Sequence, residues 1–154
     1  MIRRLSQSFA AGLLAVVLAL PLQAKPLQLG VDAMRQLAFQ TVQAGYAQDG
    51  LRLTDALLAR YPKDATALII RSQALRSLGR LAEAQKAAKT AWSAANTDKS
   101  RFGAAMAMAQ ALSSDGRRTS AQLWLRRAAE YAPSERALAM AKRDFGYVKS
   151  RNPW

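Results

Sequence analysis

The sequence contains 154 residues, enough for one domain with a modest hydrophobic core. It carries 23 lysine and arginine residues against 10 aspartate and glutamate residues, and its formal net charge is +13. It has no cysteine and no histidine, which excludes a disulfide framework and removes the commonest metal ligands and nucleophile–base pairs. The acidic residues are scattered singly, and neither a glycine-rich phosphate loop nor a nucleophile elbow occurs. We therefore expect no enzymatic activity, no metal and no cofactor.

The first 24 residues have the pattern of an export signal. Arg3 and Arg4 give a positive start, a mostly apolar run covers 9–22, and the small residue Ala24 follows. The run is shorter than the ~20 apolar residues that a membrane-spanning helix requires. We predict cleavage after Ala24, which places the mature chain in the periplasm. One version of this hypothesis also associates the chain with the outer membrane. An N-terminal anchor that is not cleaved is the alternative.

The mature part keeps a strongly basic balance, because residues 1–24 contain two arginines and no acid. In a cytosolic protein such a balance favours nucleic acid as the partner. In an exported protein it favours anionic lipid or lipopolysaccharide surfaces, or acidic client proteins. The basic residues are spread along the chain without forming a block, so most of them are expected on solvated helix faces.

From residue 31 onward the pattern predicts an all-α chain that repeats. Good helix formers dominate, and no sustained alternation of β-branched residues indicates a strand. Gly45, Gly79 and Gly116 share one register, and their spacings are 34 and 37 residues. Small residues recur seven positions before and five positions after each glycine: Ala38, Ser72, Ala109 and Gly50, Ala84, Ala121.

This register resembles the tetratricopeptide repeat, a helix-turn-helix unit of about 34 residues. The segments 68–91 and 104–133 carry the resemblance best. In such a unit the small residues let two antiparallel helices approach, and the glycine ends the first helix in a left-handed turn. The first unit departs most, since Thr41 replaces a large apolar residue, Gly50 replaces alanine and Thr54 replaces an aromatic residue. An ordinary helical bundle with coincidental spacing is the alternative.

We therefore predict a TPR-like α-solenoid of three helix pairs and a C-terminal capping helix. The predicted pairs are 31–44 with 48–60, 65–78 with 81–95, and 99–114 with 118–131. The capping helix is predicted over 134–149, with Ser134 as its N-cap. Its apolar face would consist of Leu138, Ala141, Phe145 and Val148. The predicted domains are a signal peptide over 1–24, a repeat domain over 25–149 and an extended tail over 150–154.

The first helix of each pair lines the concave side in the repeat that this chain resembles. Carrying its groove positions onto this sequence gives apolar side chains interspersed with amides and arginines, which suit an extended polypeptide. The predicted binding residues are Arg35, Phe39, Gln43, Ile69, Gln73, Arg76, Met106 and Gln110, with Asp32 and Ser113 beside them. Core positions are the alternative for Ile69 and Met106. The second helices carry Trp92 and Trp124, which are expected to pack between repeats.

The stretch 121–154, which ends in Arg-Asn-Pro-Trp, has a more particular likeness. It is similar to the region that leads out of the helical N-terminal domain in surface lipoprotein assembly modifiers and related porin-like outer-membrane proteins. In that family a periplasmic repeat domain precedes a C-terminal β-barrel, and a basic linker ending in Asn-Pro-Trp enters its first strand. This sequence lacks the barrel, so it is either a fragment or a short protein that has kept the helical module. The resemblance implies a domain that receives a client.

Three hypotheses follow. The leading one is a periplasmic protein-interaction module that binds a client, either a surface lipoprotein or a secreted protein, with an outer-membrane barrel as a second partner. It involves neither nucleic acid nor a small-molecule substrate. A free-standing periplasmic repeat scaffold for envelope assembly is the alternative. A basic nucleic-acid-associated protein kept in the cytosol is the third.

Overall fold

A computed structural model of the chain describes residues 30–150, without the side chains of residues 149 and 150. This part contains no strand and consists of seven helices: α1 (Val31–Gln43), α2 (Ala47–Arg60), α3 (Ala65–Ser77), α4 (Leu81–Ala94), α5 (Asp98–Ser114), α6 (Arg118–Glu130) and α7 (Glu135–Ser150). The predicted all-α class is confirmed, and each helix end lies within one residue of its predicted position. The predicted signal peptide and residues 151–154 of the predicted tail lie outside the described residues.

The repeat glycines end the first helix of each pair in the same way. Gly45, Gly79 and Gly116 have φ angles of 90°, 74° and 77°, in the left-handed region that glycine enters without steric penalty. Two backbone hydrogen bonds close each helix end as a Schellman motif. In the second pair, the N–H of Gly79 donates to the carbonyl of Arg76, and the N–H of Arg80 donates to the carbonyl of Leu75. The second helix begins directly after this turn.

Side chains cap the N-terminal ends of α3, α5 and α7, which are the helices that follow a completed pair. The carboxylate of Asp64 accepts a hydrogen bond from the N–H of Ala67 at the start of α3, at 3.0 Å. Thr97 and Ser100 form a capping box at the start of α5. The hydroxyl of Ser134 accepts from the N–H of Ala137 at 3.2 Å, which confirms the predicted cap of α7. Glycine turns within pairs and side-chain caps between pairs thus divide the chain into its repeat units.

Small residues lie where the two helices of a pair approach. Ser72 and Ala84 are both buried, and the Ser72 hydroxyl donates to the carbonyl of Ala84 at 2.8 Å. Ala109 and Ala121 occupy the equivalent buried positions in the third pair. Because none of these side chains extends far from its backbone, the helices of a pair can pack closely along that line.

The pairs stack so that their first helices lie side by side. Helix α3 contacts both α1 and α5, and each second helix contacts the first helix of the next pair. Helix α7 follows α6 in the same way, and therefore takes the place of the first helix of a fourth pair. Its residues Ala141 and Val148 are buried with Leu112 and Leu125, and Phe145 packs against them, which confirms the predicted capping face at these three positions. The architecture is a TPR-like α-solenoid.

Aromatic contacts join the second and third pairs. The ring of Trp92 in α4 meets the ring of Trp124 in α6 edge-on, and their centroids are 5.3 Å apart. Tyr131 makes a second edge-on contact with Trp92 at 5.6 Å. Such contacts contribute roughly 0.5–1.5 kcal/mol each beyond the area they bury. The predicted packing of both tryptophans between repeats is confirmed.

Gly50 accounts for one departure of the first unit from the repeat pattern, and it generates a test. A Cβ atom at this position would collide with Cγ2 of Val42 in the facing helix. We expect Gly50→Ala to lower the free energy of unfolding by about 1–2 kcal/mol, because overpacking outweighs the gain in helix propensity. In a Val42→Ala background the space is open, and Gly50→Ala should become neutral or stabilising. Urea unfolding of the four variants measures this coupling, and additive effects would contradict the steric explanation.

Candidate functional site

The concave side holds a cavity of about 660 Å³ between α1, α3 and the start of α5. Phe39, Ile69 and Phe102 supply its apolar wall, one from each helix. Polar side chains, including Asp32 and Lys99, lie around it. Phe39 is 39% exposed, so an apolar surface faces solvent here where an occupant could cover it. We call this space the apolar cavity.

A second cavity of about 320 Å³ lies between the carboxyl-terminal parts of α3, α5 and α7. Its polar lining residues are Arg76, Gln110, Ser113, Ser114, Asp144 and Tyr147. We call it the polar cavity. Gln73 lines the apolar cavity, and Arg76 lies about one turn further along α3 in the polar cavity. The two cavities are therefore neighbours on one face, and together they form the concave groove.

Arg35 lies at the rim of the apolar cavity, but its charge is already paired. Its Nε donates to Asp64 at 2.8 Å, and a second nitrogen lies 2.6 Å from Asp32. The hydrogen bond to Asp64 is the main reason why the pKa of Arg35 is raised above its ordinary value. The side chain of Asp64 is only 3% exposed, and it also caps α3. Arg35 thus ties α1 to the start of α3, a structural role that its position in the sequence does not predict.

Two predicted binding residues carry polar atoms without a partner. The Oε1 atom of Gln73 and the Nε atom of Arg76 are buried, and neither makes a hydrogen bond within residues 30–150. Buried polar groups in native proteins almost always find a partner, because leaving one unpaired costs about 1–3 kcal/mol. Both atoms belong to α3 at the junction of the two cavities. Gln73 and Arg76, which line the two cavities, thus hold an unused acceptor and an unused donor just beneath the groove surface.

The other predicted residues lie in several environments. Ile69 lines the apolar cavity, and Gln110 lines the polar cavity. Gln43 is exposed but lines neither cavity. Met106 is a correction, because it is only 5% exposed and belongs to the core around α5. Helix α5 packs against α3, α4 and α6, so its middle has little surface left for a ligand.

Several groove residues were missed from the sequence. At the start of α5, Phe102 and Gly103 face the groove in place of Met106, and a Cβ on Gly103 would lie 2.9 Å from Cδ1 of Ile69. The 37-residue spacing between the second and third glycines was the available signal, since it moves the start of α5 relative to the repeat. The sequence predicts only a capping role for α7, so it does not predict Asp144 and Tyr147 as groove residues.

Two other properties of residues 30–150 bear on the site. No group of three or more histidine, cysteine, aspartate or glutamate side chains is placed so that it could hold a metal ion. No helix in this range is both long enough and apolar enough to cross a membrane.

Comparison with known proteins identifies the fold class. No protein-family model matches the sequence, and no curated protein matches it. Among solved structures, the chain is similar to the type III secretion translocator chaperone SycD of Yersinia enterocolitica, with a TM-score of 0.67 and 16% identity over 82% of this chain and 90% of that one. It is also similar to PcrH in complex with the chaperone-binding region of PopD, with a TM-score of 0.66 and 21% identity over 81% and 97% of the two chains.

A type III secretion complex from Aeromonas hydrophila matches with a TM-score of 0.66 and 16% identity, over 79% of this chain and 82% of that one. At these identities the likeness defines the fold and no more. The protein is a TPR-like helical repeat domain of the architecture that these structures share.

The Arg35–Asp64 pair generates a prediction about the frame of the groove. We expect Asp64→Ala to lower the free energy of unfolding by about 3 kcal/mol, because it removes the cap of α3 and leaves Arg35 without its buried partner. Asp64→Asn keeps a capping oxygen, so its cost should be smaller, about 1–2 kcal/mol. Denaturant titration measures both values.

The matched control is Asp55→Asn. Asp55 pairs with Arg71, and its side chain is far more exposed than that of Asp64. The control substitution should change the free energy of unfolding by less than about 0.5 kcal/mol. If Asp64→Ala costs no more than this control, Arg35 and Asp64 do not hold α1 against α3.

Proposed function

We propose that this protein binds an extended segment of a client polypeptide in its concave groove. The observation that carries the proposal is the junction of an apolar cavity with polar atoms that have no partner in the described part of the chain. Peptide-binding grooves combine these two features, since pockets take alternate side chains while polar groups bind the main chain. The similar structure of PcrH, which contains the chaperone-binding region of PopD, supports this reading.

An extended main chain fits the polar groups of the groove. It offers one N–H donor and one carbonyl acceptor per residue. The unused acceptor on Gln73 suits such an N–H, and the amide of Gln110 can bind a peptide group through either end. A large apolar side chain would enter the cavity formed by Phe39, Ile69 and Phe102 and remove that surface from water.

A binding role is favoured over catalysis. The groove brings together amides, hydroxyls, one lysine, arginines and the carboxylates of Asp32 and Asp144, and the sequence has neither histidine nor cysteine to act as base or nucleophile beside them. Arg35, which lines the apolar cavity, already binds two acids. We therefore propose no reaction at this site.

We further propose that the client is an exported protein handled on the periplasmic side of the envelope, in the manner of surface lipoprotein assembly modifiers. Two sequence features support this finer proposal: the export-signal pattern of residues 1–24 and the likeness of 121–154 to the exit of that family's helical domain. An outer-membrane barrel would then be the second partner. The strongly basic balance of the chain suits a client with acidic segments.

Site-directed photocrosslinking in the native host tests the proposal. A benzophenone amino acid replaces Gln36, an exposed residue beside the apolar cavity. We expect crosslinks to one or a few exported polypeptides, and at least a fivefold lower yield when Phe39→Asp places a charge on the apolar wall. The same probe at Leu123, which is 52% exposed on α6 and lines neither cavity, should give no such product.

Leu37→Asp is the matched control for Phe39→Asp, because Leu37 is 40% exposed on the same helix and lines neither cavity. It should leave the yield unchanged. Crosslinks to cell-wall enzymes or inner-membrane partners, with equal yields in both variants, would favour a free-standing envelope scaffold and contradict client binding in the groove.

A further inference from the structure

Arg76 differs from the other half-buried arginines between residues 30 and 150. Arg35 and Arg71 pair with acids, while Arg101 and Arg127 lie over the rings of aromatic residues. Arg76 does neither, and its Nε is buried without a hydrogen bond. Its charge is thus partly desolvated in the free protein and lacks the partner that normally offsets this cost.

The neighbours of Arg76 in the polar cavity are suited to an oxygen-bearing group. Ser113 and Ser114 bring hydroxyls from the last turn of α5, and Gln110 brings an amide. Among the side chains described between residues 30 and 148, Asp144 is the one carboxylate that lines this cavity. It lies 3.4 Å from Arg143 on its own helix and makes no ion pair with Arg76. Most of the lining can therefore donate a hydrogen bond.

The helix ends nearby do not cancel this charge. Arg76 lies in the last turn of α3, where the helix dipole places partial negative charge. The carbonyls of Leu75 and Arg76 already accept hydrogen bonds in the turn around Gly79. A full positive charge therefore remains beside a cavity that opens onto the groove.

We propose that the polar cavity is an anion subsite in which Arg76 binds a side-chain carboxylate, aspartate or glutamate, of the client. The inference rests on the proposed function and gives the client a chemical signature. Bound in this way, the carboxylate meets a guanidinium fork and the hydroxyls of α5, which are the donors that carboxylates prefer. The client thus supplies to Arg76 what Asp64 supplies to Arg35.

The positions of the cavities set the spacing of that signature. Ile69 and Arg76 are seven residues apart on α3, roughly 10 Å along the helix axis. The polar cavity is also displaced toward α5 by about one interhelical distance, roughly 9 Å. The two cavity centres are therefore roughly 13 Å apart, which an extended chain covers in about four residues. We expect the acid about four residues from the large apolar side chain of the client.

Asp144 would compete with the client in this arrangement. Its carboxylate shares the cavity with Arg76, so it repels an incoming acid and favours occupants that reach the guanidinium directly. Removing its charge with Asp144→Asn should therefore strengthen binding of acidic peptides. This effect has the opposite sign to that of a change at Arg76, which makes the pair of variants diagnostic.

Peptide selection followed by binding measurements tests the inference. A phage-displayed library of random 12-residue peptides is selected against the protein expressed from its full sequence. We expect the selected peptides to carry an aspartate or glutamate about four residues from a large apolar residue. One selected peptide, labelled with fluorescein and amidated at its C-terminus to remove the terminal carboxylate, should bind Arg76→Gln about tenfold more weakly than the unchanged protein.

When the acid of this peptide is changed to the amide, its affinity for the unchanged protein should fall by the same factor. On Arg76→Gln, the acid and amide peptides should bind with equal affinity. The comparison of the acid and amide peptides on the unchanged protein tests the anion subsite even where Arg76→Gln fails to fold. Arg71→Gln is the matched control, since it removes the same charge from α3 at a position paired with Asp55, and it should change binding less than twofold. Asp144→Asn should bind the acidic peptide two- to fivefold more tightly.

The possible outcomes separate the two proposals. Selected peptides that carry no acid, bind equally to Arg76→Gln and weaken with Phe39→Asp would overturn the anion subsite and leave client binding in place. A library that yields no binder, or only binders indifferent to Phe39→Asp, would overturn the proposed function and the subsite with it.

Discussion

The close approach of two helices at a pair of small residues is the constraint on which this structure depends. In the second pair, the buried contact of Ser72 with Ala84 is reinforced by a hydrogen bond from the serine hydroxyl to the alanine carbonyl. The glycine turn reverses the chain between these two positions, so local geometry and packing demand the same pairing. Since every pair is built in this way, α1, α3 and α5 are brought side by side, and the groove is a consequence of their alignment.

This dependence explains which features could be predicted from the sequence. Glycine register, small residues and caps act within about 34 residues of chain, and they predicted seven helices and their ends closely. Side-chain positions in the groove depend on how neighbouring pairs are offset, which the register alone does not determine. The longer spacing before Gly116 lengthens the start of α5, and this added turn brings Phe102 and Gly103 to the apolar cavity. Met106, one turn further along, lies in the core beneath it.

Burial was equally hard to predict for charged residues. Arg35 and Arg76 occupy the concave face of successive first helices, and the sequence suggested the same binding role for both. The structure separates them through one acid: Asp64, in the loop before α3, reaches back to Arg35. That contact joins residues 29 positions apart and depends on the stacking of the first two pairs. No pattern of local spacing could have revealed it.

The comparison of these two arginines gives a physical criterion for function in this fold. A half-buried guanidinium has lost part of its hydration and must recover that energy from an acid, an aromatic ring or a ligand. Arg35 recovers it within the protein and thereby stabilises the frame of the groove. Arg76 does not, although a stack of helices rich in alanine and leucine could have placed an apolar side chain there without such a cost. The unpaired charge is therefore explained more readily by a partner that arrives from outside than by folding.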